Sequence, residues 1–261
     1  MNKKLLTLIA PIILFCFFIL GWEFLLYINN TPHYILPKPS LIVFTLFNEW
    51  STLFPALIVT TYVTISALFL AVILGVVVAI IISQFKIIEI SLMPYTVILQ
   101  VTPIIAIAPL IIILVDNTLI AALICAWLVA FFPILSSTLI GLKSADHGLQ
   151  DLFRLYRANR MQQLFFLQLP SALPYFLSGF KISAGLSLIG AIVAEFVTGI
   201  GGASSGLAYV IIESSYRLET PKMFAALVLI AFTGVTIFII THLISNFLLR
   251  NWHESAKLKE F

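Results

Sequence analysis

A single acidic residue, Glu195, lies inside an apolar run that extends over about residues 178–199. A charged side chain at the centre of a bilayer costs roughly 2.5–3.5 kcal/mol on insertion scales, and such residues usually face protein or water. Two roles are therefore open for Glu195. It is either a gate or substrate-contact residue, or a structural carboxylate that holds the following loop through Arg217 or backbone N–H groups.

Polar residues also accompany a proline in another apolar run. Gln100 and Thr102 precede Pro103, and both Pro103 and Pro109 are expected to interrupt a helix there. A membrane tolerates such a break where protein or a cavity satisfies the freed backbone groups. Gln100, Thr102 and Pro103 are thus candidates for a solute pathway. Another polar cluster lies in the second apolar run, at Thr60, Thr61, Tyr62, Thr64 and Ser66. Two roles are open for it, a place in the cavity lining or helix packing, and packing is the commoner role of Ser and Thr in membranes.

Residues 151–174 (DLFRLYRANRMQQLFFLQLPSALP) form a basic, amphipathic segment between apolar runs. An apolar face follows i, i+3, i+4, i+7 spacing, and its members are Leu149, Leu152, Phe153 and Tyr156. The opposite side carries Asp151, Arg154, Arg157, Gln162 and Gln163, and Arg160 is a further basic residue of the segment. Pro170 and Pro174 are expected to end the pattern. This predicts two short helices at an angle, whose apolar face either enters a groove on another protein or lies on the lipid surface.

The elements that must position these residues are membrane-spanning helices. The chain has 261 residues, 61% of them hydrophobic and 10% charged, with a mean hydropathy of +1.13, which excludes a water-soluble globule. A helix needs about 20 apolar residues to cross a bilayer. We predict an all-α membrane protein with about six spans, near residues 5–28, 53–83, 87–115, 118–140, 178–199 and 223–248.

Charge placement predicts the orientation of these spans. With the N-terminus in the cytoplasm, the inner segments hold eleven Lys and Arg residues and the outer segments hold three. This bias predicts that both termini and the 151–174 segment are cytoplasmic. A net charge of +3 is too small to indicate nucleic acid. The chain lacks the G-x-x-x-x-G-K-[ST] phosphate loop and a soluble domain large enough to hold a nucleotide, so we expect no cofactor on it. If transport is driven by ATP, a separate subunit must bind the nucleotide.

The 151–174 segment resembles the cytoplasmic loop of ABC-type importer permeases. Asp151 stands at that loop's Glu position, Leu152 and Phe153 at its two Ala positions, Arg157 at its Gly position, and Pro170 at its final Pro. Because Arg does not readily take a positive φ, we expect Asn159 to form the turn instead.

Further motifs extend the resemblance over about residues 20–215, and they are similar to the nitrate, sulfonate, taurine and thiamine-precursor branch. They are LPKPS at 36–40, TPIIAIAPL at 102–110, FFPI at 131–134, GLKS at 141–144, LPSALPY at 169–175, AE at 194–195 and GL at 206–207. The chain departs from the branch at 114–116, where LVD replaces a Trp-Phe-Gly turn.

The resemblance implies a type I ABC importer permease fold in one transmembrane domain over 1–261. Its parts would be a first span and external linker (1–50), a core permease (51–250) and a cytoplasmic coupling loop (141–177). It also implies a multi-pass protein of the bacterial inner membrane that is not itself an enzyme. The implied partners are a second copy of the permease, two cytoplasmic ATPase subunits that bind ATP, and a periplasmic substrate-binding protein.

Two further expectations concern the loop after the fifth span and the solute. Gly199, Gly201 and Gly202 are expected to break the span, with Ser204 or Ser205 capping a short helix whose apolar side holds Leu207, Val210, Ile211 and Leu218. The near absence of cationic residues within spans favours a neutral or weakly charged solute such as a pyrimidine precursor. The alternative function is an ion-gradient-driven secondary transporter or channel, which predicts several intramembrane ionisable residues and an internal repeat.

Overall fold

The computed structural model describes residues 3–198 and 205–250, and its regular elements there are all helices. In chain order they are α1 (Lys3–Ile28), α2 (Pro39–Asn48), α3 (Trp50–Gln84), α4 (Lys86–Val101), α5 (Ile104–Leu114), α6 (Thr118–Lys143), α7 (His147–Leu155), α8 (Arg160–Gln163), a π-helical turn (Leu164–Gln168), α9 (Leu169–Thr198), α10 (Leu207–Tyr216) and α11 (Thr220–Leu249).

Five helical stretches of the described chain are long and apolar enough to cross a membrane. They are Ile9–Ile28, Trp50–Gln84, Thr118–Lys143, Arg160–Val197 and Thr220–Leu249. A sixth candidate is the pair α4 and α5, which bend by 99° relative to each other. The prediction of an all-α membrane protein with about six spans is confirmed.

The predicted break at Pro103 is the bend between α4 and α5. Thr102 is extended, with φ −73° and ψ 124°, as a residue before proline prefers. The expected interruption at Pro109 is wrong, because Pro109 lies inside α5. The carbonyl that lacks a proline N–H as a result is that of Ile105, in the first turn of the helix.

The expected helix stop at Pro170 and Pro174 is also wrong. The chain stays helical from Arg160 through the π-helical turn into α9, and Pro174 lies inside α9. At the end of the π-helical turn the Leu169 N–H bonds to the Leu164 carbonyl, one residue further back than in an α-helix. This wider turn accommodates the missing N–H of Pro170, so the fifth span begins earlier than predicted.

The centre of the bundle is the contact between α6 and α9, and small residues bring the two backbones close together. A β-carbon at Gly179 would lie 2.6 Å from the Pro133 carbonyl oxygen, and one at Gly190 would lie 2.8 Å from the Ala126 Cα. The Ser183 hydroxyl donates to the Ala130 carbonyl at 2.6 Å. Close backbone approach through small residues, with a hydroxyl bond across the seam, is how membrane helices associate.

The bundle has two distinct ends. At one end, which we call the α10 end, residues of α2, α3, α10 and α11 form an apolar cluster that includes Ile42, Leu53, Leu207 and Ala225. At the other, the loop end, α3, α6 and α9 meet the π-helical turn, with Ile82, Leu139, Leu164 and Ala172 buried together. The α7–α8 segment, residues 144–163, projects from the loop end.

Candidate functional site

A cavity of about 320 Å³ lies beside the bend between α4 and α5. Two of the predicted pathway residues, Gln100 and Thr102, line it, whereas Pro103 produces the bend without being a lining residue. The other walls come from α4, α5, α6 and α9, through Leu99, Ile104, Ile107, Leu128, Val129, Phe132, Pro133 and Leu186.

The polar groups of this cavity are uncharged. The Thr102 hydroxyl already donates to the Ile98 carbonyl at 2.6 Å, which leaves its oxygen as an acceptor. The Gln100 amide has no hydrogen-bond partner within residues 3–198 and 205–250, so it offers both a donor and an acceptor to an occupant. No Lys, Arg, Asp or Glu is among the lining residues. The arrangement suits a small neutral molecule that carries amide-like groups.

Glu195 is buried, with 5% of its surface exposed, and it binds α3 and α10. The Thr60 hydroxyl of α3 donates to Oε1 at 2.8 Å and lies 3.1 Å from Oε2. The Ala208 N–H in the first turn of α10 donates to Oε2 at 3.0 Å. The neighbouring Leu207 N–H donates to the Thr60 hydroxyl oxygen at 2.9 Å.

Glu195 and Thr60 therefore satisfy free N–H groups at the start of α10 from outside the helix. A helix N-terminus has N–H groups without internal partners and favours a negative charge. Gly206, the residue before α10, packs directly on the carboxyl group, and any β-carbon there would overlap it. The expected partner Arg217 instead pairs with Glu213 at 2.7 Å.

Two expectations about this loop are wrong. Ser205 does not occupy the N-cap position, which is Gly206, because Thr60 and Glu195 supply the capping groups. Leu218 does not join Leu207, Val210 and Ile211 on the buried face, because α10 ends at Tyr216 and Leu218 is 68% exposed with φ 58°. The expected glycine break at 199–202 and Ser204 lie outside the described residues.

The α7–α8 segment holds the predicted coupling residues on two short helices. The Asp146 side chain caps α7 by accepting from the Leu149 N–H at 3.1 Å. A shallow apolar groove of about 310 Å³ runs between the helices and is lined by Leu152, Phe153, Tyr156, Ala158, Gln162 and Phe166. Asp151 and Arg154 form an exposed ion pair at 3.2 Å. Arg160 begins α8.

The turn between α7 and α8 corrects the prediction for Arg157. Arg157 has φ 53°, in the left-handed region, while Asn159 has φ −72°. The Ala158 N–H bonds to the Phe153 carbonyl and the Arg157 N–H to the Arg154 carbonyl, both at 2.9 Å, which is a Schellman ending of α7. These two bonds hold Arg157 in the turn conformation. Asn159 instead forms a capping box with Gln162 at the start of α8.

Sequence reasoning missed two features. It left Thr60 between helix packing and the cavity lining and did not identify it as a partner of Glu195, because nothing in the sequence links residue 60 to residue 195. It also overlooked Glu89, whose carboxyl group binds Lys143 of α6 at 2.6 Å. The signal for Glu89 was an acidic residue near the start of a predicted span, in what the structure shows to be the first turn of α4.

Comparisons with known proteins agree with these observations. The model of the family of binding-protein-dependent transport system inner membrane components matches residues 71–252. Over 248 residues the chain is 29% identical to the formylaminopyrimidine transport permease protein ThiX of Halalkalibacterium halodurans, covering 95% of this chain and 97% of that one. Over 203 residues it is 31% identical to the putative aliphatic sulfonates transport permease protein SsuC of Bacillus subtilis, covering 77% and 72%.

Among solved structures, the fold is similar to a chain of the methionine ABC transporter MetNI in an inward-facing conformation. The TM-score is 0.64 at 19% identity, and the match covers 77% of this chain and 96% of that one. At this identity the likeness shows the fold alone. The predicted resemblance to ABC importer permeases, and to the branch that includes sulfonate and thiamine-precursor permeases, is confirmed.

Proposed function

Because this chain belongs to the family of binding-protein-dependent transport system inner membrane components and is the permease subunit of an ABC importer, we propose that the cavity beside the α4–α5 bend lies on its solute pathway. The observation that carries this proposal is the position of Gln100 and Thr102. Both line the cavity at the point where Pro103 breaks a candidate span. Broken membrane helices commonly line binding sites in transporters.

The solute is a small, neutral molecule with amide-like hydrogen-bonding groups, such as a pyrimidine precursor. The cavity lining has no charged side chain to bind a dianion, and the Gln100 amide can pair with a ring nitrogen or carbonyl. The relative that matches most of this chain's length among those described above is a formylaminopyrimidine permease. In proteoliposomes that hold the whole importer, Gln100→Leu is expected to lower uptake of a formylaminopyrimidine.

Thr96→Val is the matched control for that experiment. Thr96 lies on the same helix one turn away, does not line the cavity, and bonds the Met93 carbonyl of its own helix. Equal uptake by wild type and Gln100→Leu contradicts the pathway assignment. A wild-type importer that moves only sulfonates contradicts the assigned solute class and leaves the pathway assignment standing.

The loop end faces the cytoplasm and the α10 end faces the periplasm, as the eleven-to-three charge distribution predicts. Two copies of the permease pair with two ATPase subunits at the groove lined by Leu152, Phe153 and Tyr156. A periplasmic binding protein delivers the solute to the α10 end. ATP-driven movement of the α7–α8 segment reaches the spans because α6 leads into this segment and α9 continues out of it.

Asp151→Lys tests the ATPase-docking role of the α7–α8 segment. The change reverses a charge beside the apolar groove and is expected to uncouple ATP hydrolysis from uptake without preventing membrane insertion. Asp116→Lys, in the exposed turn between α5 and α6, makes the same charge change away from the loop end and serves as the control. If Asp151→Lys transports as many solute molecules per ATP as the control, the docking assignment is wrong.

Glu195 holds the start of α10 at the α10 end, and through α10 it acts on the outer closure of the pathway. Its bonds to α10 run through Thr60 and the Ala208 N–H, both buried among helices and absent from the cavity lining. This makes Glu195 a positioning residue rather than a group that touches solute.

One experiment separates the ABC mechanism from an ion-gradient mechanism. The purified permease, reconstituted with its ATPase subunits and binding protein, is expected to take up solute when ATP is supplied on the loop-end side. Ionophores that collapse proton and sodium gradients should leave this uptake unchanged. Uptake that needs a gradient and ignores ATP would favour the secondary transporter.

A further inference from the structure

Helix α4 is attached to the rest of the bundle in an unusual way. Non-helical residues flank it on both sides, Phe85 with φ −127° and ψ 105° before it and Thr102 with ψ 124° after it. None of its residues is buried, whereas the neighbouring α5 buries Ala108 between α3, α6 and α9. The direction of α4 is therefore weakly determined by apolar packing.

One ion pair ties α4 to the body of the protein. Glu89 Oε1 lies 2.6 Å from Lys143 Nζ on α6, and Glu89 Oε2 lies 3.3 Å from Lys86 Nζ on α4 itself. The Glu89 side chain is 18% exposed and that of Lys143 is 43% exposed. Within residues 3–198 and 205–250, the Glu89–Lys143 bond is the one polar side-chain contact from α4 to another helix.

The two ends of this link have different neighbours. Lys143 is the last residue of α6, directly before the α7–α8 segment, and the following Ser144 hydroxyl bonds back to the Gly141 carbonyl of the same helix end. At its other end α4 contributes Leu99 and Gln100 to the cavity wall. A displacement of the α7–α8 segment thus reaches Lys143 first, then Glu89, and then the wall of the cavity.

We propose that Glu89 is a positioning residue that couples movement of the α7–α8 segment to the angle between α4 and α5. The inference rests on the proposed function, in which an ATPase docks on that segment and solute passes the cavity. When Lys143 moves with the segment, the charged bond carries the first turn of α4 along. The hinges at Phe85 and Thr102 then convert this shift into a change in the α4–α5 bend and in the position of Gln100.

The chain provides an internal control for this proposal. Lys86 also binds Glu89, but both residues lie on α4, so that bond transmits nothing between helices. Lys86→Gln removes one positive charge next to Glu89 and keeps the link to α6. Lys143→Gln removes the same charge and breaks the link. A role of Glu89 limited to balancing nearby lysines would make the two variants equivalent.

The first measurement is the number of ATP molecules hydrolysed per solute transported by the complete importer in nanodiscs or proteoliposomes. Glu89→Gln and Lys143→Gln are each expected to raise this ratio about two- to fivefold, the effect expected of a half-exposed ion pair. The double variant should be no worse than either single variant, since both remove the same bond. Lys86→Gln should behave as wild type.

The second measurement follows α4 directly. Spin labels at Tyr95 on α4 and Ile140 on α6, both exposed, report the distance between the helices in a variant whose Cys16 and Cys125 are replaced by alanine. The distance is expected to change between the nucleotide-free and ATP-trapped importer. Glu89→Gln should reduce this change while membrane insertion and ATPase binding stay intact.

Three outcomes would overturn the proposal. They are additive effects in the double variant, a Lys86→Gln effect equal to that of Lys143→Gln, or an ATP-dependent label movement that Glu89→Gln leaves unchanged. Failure of the proposed function looks different, because the wild-type importer itself would then show no ATP-dependent uptake. An importer that transports normally with Glu89→Gln refutes only the role assigned to Glu89.

Discussion

Replacement of Glu195 by alanine is predicted to release the start of α10. In the native chain the carboxyl group accepts from the Thr60 hydroxyl at 2.8 Å and from the Ala208 N–H at 3.0 Å, while it is 5% exposed. Alanine leaves the buried Ala208 N–H without this acceptor. A hydrogen bond to a charged group contributes about 1.5–3 kcal/mol, and a donor left buried and unpaired costs a similar amount.

We therefore expect the local opening free energy of α10 to fall by about 3 kcal/mol, which corresponds to roughly hundredfold faster amide exchange. Hydrogen exchange of peptides from residues 207–216, measured by mass spectrometry on the importer in nanodiscs, tests this. Glu213→Ala is the control within the same helix. It removes only the exposed pair with Arg217, which contributes about 0.5 kcal/mol.

Glu195→Gln separates the two roles that the sequence left open. A Gln amide keeps the shape of the side chain, accepts from the Ala208 N–H through its oxygen and donates to the Thr60 hydroxyl through its nitrogen. If Glu195 positions α10, the Gln variant keeps most of its exchange protection and its transport. If its charge acts on the solute, the Gln variant loses transport while α10 stays protected. Equal exchange rates in Glu195→Ala and Glu213→Ala would refute the anchoring role.

Three further predictions concern packing, backbone strain and pH. Gly179→Ala should destabilise the contact between α6 and α9 by about 1–3 kcal/mol, because the new methyl would lie 2.6 Å from a carbonyl oxygen. The midpoint of thermal unfolding in detergent should fall accordingly. Gly185→Ala is the control and should not lower this midpoint, because nothing lies within 4 Å of its new methyl. Arg157→Gly should stabilise the α7–α8 segment by up to about 1 kcal/mol, which slower amide hydrogen exchange of that segment would show. A residue other than glycine in the left-handed region costs roughly 1–2 kcal/mol. The greater freedom of glycine in the unfolded chain offsets part of this gain. A hydrogen bond from Lys222, at 3.1 Å, lowers the pKa of Glu49. The stabilisation from this ionised Glu49 carboxylate is therefore present above the ordinary carboxyl pKa and is lost as the pH falls through the lowered pKa. Lys222→Met should therefore lower stability slightly at neutral pH and flatten the acid limb of the stability curve below about pH 4.5, so that the wild-type and variant curves converge in acid.

Local patterns predicted the features that depend on short stretches of sequence. Apolar run length predicted the spans, because a bilayer sets the length of a helix that crosses it. The period of the apolar residues around Leu152 and Phe153 predicted the two short helices, and Pro103 predicted the broken span. These features need no knowledge of which helix lies next to which.

Predictions from the conformational preference of a single residue were wrong where backbone hydrogen bonds of its neighbours override that preference. Pro170 is tolerated because a π-helical turn precedes it, and Arg157 takes a positive φ because two backbone bonds close the end of α7. In both cases the propensity of one residue is a small energy that several neighbouring hydrogen bonds outweigh.

The sequence alone determined that this chain is a helical membrane permease, since apolar length and ordered motifs are properties of the chain itself. Only the tertiary structure decided the partners of its acidic residues. Glu195 meets Thr60 across 135 positions of sequence, and Glu89 meets Lys143 across two spans and a bend. Such pairs form because helix packing brings distant side chains within about 3 Å, and a short-range bond of this kind leaves no periodic signal in the sequence.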